Sequence, residues 1–152
     1  MSMRRLRSGF TLVELLVAVA ILAMLLAVAI HQLARARVTT NEQLALNSVR
    51  VISKAGHAYF IVNGKYPPTL VTLGPTVSIP SYLDATLAKD PATKQGYIFT
   101  FTVGGGGASF RLLADPVTYE ATGTRHFYVD QGFVIHATLQ DKNATSSDPS
   151  VP

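Results

Sequence analysis

The chain contains no cysteine, so it has no disulfide framework and no thiolate pair for a metal. Rigidity must come from packing, from the chain's own sheet or from contacts between copies. Catalytic signatures are missing too. His57, His126 and His136 are scattered, with no His-Glu-x-x-His spacing, and no Gly-x-Ser-x-Gly elbow presents a nucleophile. Gly104 to Gly107 lacks the Lys-Ser/Thr and the helix that a phosphate loop needs, and it reads as a hairpin turn. An enzyme is therefore not expected. Charge is scarce as well: Asp, Glu, Lys and Arg make up 14% of the residues, against about 25% in an ordinary soluble domain.

What the chain does have is a long apolar run behind a short basic leader. Arg4, Arg5 and Arg7 come first; from Phe10 to Ile30 every residue is then apolar or small except Thr11 and Glu14. As a helix rising about 1.5 Å per residue, this run reaches about 30 Å, the thickness of a bilayer core. An ionised carboxylate in hydrocarbon costs about 2.5–3.5 kcal/mol or more, so Glu14, one turn inside the run, calls for a cationic partner. The leader arginines favour a cytoplasmic N-terminus, although Arg35 and Arg37 beyond the run weaken the asymmetry.

In Gly9-Phe10-Thr11-Leu12-Val13-Glu14, followed by Leu15 to Leu22, the sequence resembles the N-terminus of type IV pilins and type II secretion pseudopilins. The resemblance implies cleavage between Gly9 and Phe10 by a prepilin peptidase, N-methylation of Phe10 and assembly into a helical filament. It pairs the Glu14 carboxylate with the Phe10 amine of a neighbouring subunit in an apolar interior that screens the attraction weakly. It also implies an inner-membrane anchor, then a pseudopilus or a surface pilus, with an assembly platform and other pilins or pseudopilins as partners. Loss of the three leader arginines would bring the net charge from +4 to about +1, with 10 basic against 9 acidic residues. The high pI thus argues poorly for nucleic-acid binding. Where these families commonly carry a proline linked to helix melting, this chain has His31; without the proline the helix keeps its backbone donor and stays continuous. His31 itself reads as a polar residue at the bilayer edge. The departure points toward a minor, priming subunit.

The expected fold is α+β: one helix, transmembrane over 10–30 and amphipathic beyond, packed on a small antiparallel sheet. Val38, Leu44, Ala45, Val49, Ile52, Ala55, Tyr59 and Val62 recur at spacings of mostly three and four. Arg35, Arg37, Asn41, Glu42, Arg50 and Lys54 supply the polar positions, and Asn63-Gly64 the stop. The domain reading is a leader at 1–9, a helix at 10–62, a head at 63–140 and a loose polar tail at 141–152. Within the head, short helical pieces are expected at 69–73 and 81–87. Four strands are expected, at 97–103, 108–114, 125–129 and 133–137. The head resembles pseudopilins only loosely: Tyr66-Pro67 follows the helix, but the Asp-Pro-Trp-Gly opening appears as Asp90-Pro91-Ala92-Thr93. Such relatives bind calcium, and Asp115, Glu120 and Asp130 are the acids nearby. No close-spaced acidic loop supplies six to eight oxygens, so no cofactor is expected.

Two other readings share the N-terminus. One is a periplasmic binding module on an uncleaved tether. The other is a protein secreted by an ordinary signal peptide, with Ala27-Val28-Ala29 or Ala34-Arg35-Ala36 as its cleavage site. Both leave Glu14 unexplained, and a signal-peptide core usually stops at about 7–15 residues.

Overall fold

The computed structural model describes residues 10–151; the leader, including Gly9, lies outside them, and of His31 only the backbone is described. Helix α1, Leu12–Asn63, is 52 residues long and so about 78 Å at 1.5 Å per residue. It runs unbroken through position 31, with no proline before Pro67 to remove a backbone donor. Asn63-Gly64 ends it: Gly64 takes a φ of 69° and donates its N–H to Phe60 O at 2.8 Å. The chain divides into two compact units between Ala36 and Arg37, and α1 contributes to both.

In the second unit, α1 packs on a six-stranded antiparallel sheet in simple meander order. The strands are β1 (Ala92–Lys94), β2 (Tyr97–Gly104), β3 (Ser109–Pro116), β4 (His126–Asp130), β5 (Ile135–Thr138) and β6 (Ser150–Val151). Alternation sets the inner face. Tyr97, Phe99 and Phe101 of β2 lie opposite Pro116, Ala114 and Leu112 of β3, and all six are buried. Leu112 and Ala114 in turn face Val129 and Phe127 of β4. Ala45, Leu46, Val49, Ile52 and Ala55 of α1 complete this core.

The expected stripe stops short of its last member, because Val62 is 72% exposed. Aromatic packing closes the core there instead: the Phe60 and Phe110 rings each sit 4.7 Å from the ring of Tyr66. Glu42 is a second correction. Read as a polar surface position, it is buried at 9% exposure. Its Oε1 accepts from the Thr124 N–H at 2.8 Å and the Thr124 hydroxyl at 2.7 Å, while Arg125 Nε stands 3.8 Å from Oε2. A buried carboxylate satisfied in this way stitches α1 to the β3–β4 loop, and Asn41 Nδ2 adds a bond to Thr122 O at 3.0 Å.

The expected helical piece at 69–73 is a 3-10 turn, Leu70–Leu73. The piece at 81–87 is turns rather than helix. Asp84 Oδ1 accepts the N–H groups of Thr86 and Leu87 at 2.8 and 3.1 Å, a local arrangement that competes with helix. The sheet has two more strands than expected, both short edge strands. One of them lies in the stretch read as a loose tail, 141–152: Ser150 and Val151 pair with His136 and Ile135, Ala144 is buried, and Ala137 donates its N–H to Pro149 O at 3.0 Å.

Tyr97 shows how tightly the head is packed. Fully buried, it donates its hydroxyl to Arg125 O at 2.9 Å, and burial first, then the charge of Glu42, pushes its pKa up. A Cβ on Gly123 would overlap that hydroxyl oxygen. Gly123→Ala is therefore expected to destabilise the head by about 1–3 kcal/mol through overpacking, read as a lower thermal unfolding midpoint. An unchanged midpoint would contradict this packing.

Candidate membrane and assembly segment

The first unit presents apolar side chains on every side of α1. Large apolar residues from Phe10 to Leu33 range from 50% exposed at Val17 to 78% at Leu12. The most apolar stretch has a mean hydropathy of 2.9 and is wholly unburied, so α1 is long and apolar enough to cross a membrane. A soluble surface helix shows a polar face toward water, and one apolar all round needs cover from lipid or from other helices.

The helix start is built by Thr11. Its carbonyl accepts the N–H of Leu15 at 3.2 Å, and its hydroxyl accepts the N–H of Glu14 at 3.2 Å. Thr11 is thus the N-cap and Glu14 the third helical residue, the Thr-x-x-Glu spacing of a capping box. The spacing itself carries this role, which a reading of Thr11 as a mere interruption of the apolar run passes over. It also supplies a purely local reason for Glu14, since a carboxylate in the first turn gains about 0.3–1 kcal/mol from the helix dipole. That is smaller than the cost of about 2.5–3.5 kcal/mol for a charge in hydrocarbon. Capping alone would not compensate a charged Glu14 in hydrocarbon. Phe10 precedes α1 by two residues and is exposed, while Gly9, the other residue of the expected processing site, lies outside the described residues.

In the head, the structure does not assemble the acids considered for calcium. Asp115 Oδ1 lies 2.7 Å from His126 Nδ1; Asp130 accepts from the Gly132 N–H at 2.8 Å and the Tyr128 hydroxyl at 3.0 Å; Glu120 is exposed in the β3–β4 loop. Among the described residues no three His, Cys, Asp or Glu side chains gather as metal ligands would. The grouping of His126 with Asp115 and Asp141 has no signature in the sequence, because the three stand on separate elements.

No curated protein and no solved structure matches the chain significantly. Residues 4–30 match the family described as the prokaryotic N-terminal methylation motif. The chain therefore carries, ahead of a pilin-like α+β head, the N-terminal methylation motif typical of type IV pilins and pseudopilins.

Proposed function

We propose that this protein is a structural subunit of a type IV pilus or a type II secretion pseudopilus. The observation that carries the reading is the methylation motif itself, in which the lone acid Glu14 sits in an exposed span whose one other polar residue is Thr11. Before assembly the span from 10 to 30 holds the subunit in the bacterial inner membrane, with the head in the periplasm. Prepilin peptidase removes residues 1–9, Phe10 is N-methylated, and the assembly platform extracts the subunit into a helical bundle with copies of itself or with other pilins. There Glu14 and the Phe10 amine of a neighbour neutralise each other. Such a pair is retained only if both charges are satisfied, which makes it a register device for adding subunits.

The test is self-association in the native cell. Sheared surface or periplasmic fractions should contain the protein in filaments that sediment far faster than the processed monomer. Recovery only as a membrane-bound monomer with an intact leader would instead support the tethered module.

A further inference from the structure

His126 combines burial with an incomplete set of bonds. Its side chain is 7% exposed on β4, and the Tyr119 ring stacks on it with centroids 5.9 Å apart. A contact of 2.7 Å between Nδ1 and Asp115 Oδ1 requires a proton on Nδ1, because a carboxylate oxygen only accepts. In the neutral ring Nε2 is then a bare lone pair. This atom is buried with no hydrogen-bond partner among the described residues, and what faces it is another acceptor, Asp141 Oδ1, at 3.6 Å. Two facing acceptors repel, and a donor proton between them turns the repulsion into a hydrogen bond. Other groups around the ring do not supply a cation: Thr138 opposite on β5 is uncharged, the Tyr119 hydroxyl donates to Leu139 O, and Arg125 is engaged with Glu42. Lys142 follows Asp141 in sequence and is the nearest cation along that segment.

We propose that His126 is a proton-operated latch: a second proton, on Nε2, captures Asp141 and locks the segment carrying β6 onto the sheet. The chemistry follows from the positions. Asp115 fixes the ring and its first proton, and Asp141 comes from the chain just after β5. The gap of 3.6 Å closes to an ordinary charge-assisted bond when the exposed Asp141 side chain shifts by under about 1 Å. Histidine is the side chain that exchanges its charge within the physiological pH range while carboxylates stay ionised, so uptake of a second proton by the ring makes the contact and its loss releases it.

Amide hydrogen exchange of the full-length protein in detergent micelles tests this, with rates corrected for the intrinsic effect of pH. Residues 139–151 should be at least about tenfold better protected at about pH 5.5 than at about pH 8, the scale of one charged hydrogen bond. Asp141→Asn should remove that difference, and Asp84→Asn, remote from the ring, should keep it. Equal protection of the wild type at both pH values, or a difference that survives Asp141→Asn, would overturn the latch. So would protection that rises on adding zinc at about pH 8, since the cation would then be a metal.

Discussion

Glu14→Ala is expected to leave the protein membrane-inserted and processed while reducing its incorporation into filaments to background. The substitution removes the one charged side chain between Phe10 and Ile30, so insertion becomes easier by about 2.5–3.5 kcal/mol. The local loss is small. Alanine is a good helix former, Thr11 still caps the backbone N–H of residue 14, and only the dipole contribution of about 0.3–1 kcal/mol disappears. A filament interior is different, because the Phe10 amine of a neighbouring subunit would be buried there with no anion. Breaking a buried pair by removing one partner costs about 3–5 kcal/mol, a factor of about 150 to 5,000 at each subunit added. Immunoblots of membrane and sheared-filament fractions separate the two effects. Glu14→Gln, which keeps shape and hydrogen bonding, should fail as Glu14→Ala does if charge is what matters. Filaments of either variant at wild-type levels would remove Glu14 from the assembly account.

Gly9→Leu is expected to block processing altogether. A peptidase site shaped for glycine has no room for a branched side chain, and the unprocessed chain would keep Arg4, Arg5 and Arg7 at an end that must enter an apolar bundle. The Phe10 nitrogen would also remain an amide, with no charge to offer Glu14. The variant should therefore accumulate in the membrane at full length and be absent from filaments. A chain shortened as in the wild type would place the cut elsewhere.

Much of the architecture is legible in the sequence because it rests on period. Twenty-one residues with one acid, a stripe at spacings of three and four, and the alternation Tyr97-Ile98-Phe99-Thr100-Phe101 fix α1 and β2 without tertiary knowledge. Thr11 and Gly64 bound the helix as cap and stop. β1 and β6 are not legible, because two or three residues carry no period. The fate of 141–152 depends on one small apolar residue, Ala144, and on backbone bonds that polar composition does not reveal. Glu42 misleads for a related reason. Its hydrogen-bond partner Thr124 is 82 residues away, so nothing near Glu42 distinguishes a satisfied buried acid from a surface one. In the membrane segment the situation is reversed. Thr11 and Glu14 make the capping spacing at the start of one helix, and sequence holds that spacing in full. The His126 cluster joins β3, β4 and the chain after β5, and only the folded sheet brings those together.

The most direct test of the central claim is the intact mass and N-terminal sequence of the membrane-associated protein from its native cell. The expected chain begins at Phe10, with one methyl group on its amine. A chain that begins at Met1, or beyond Ala29, would contradict that claim.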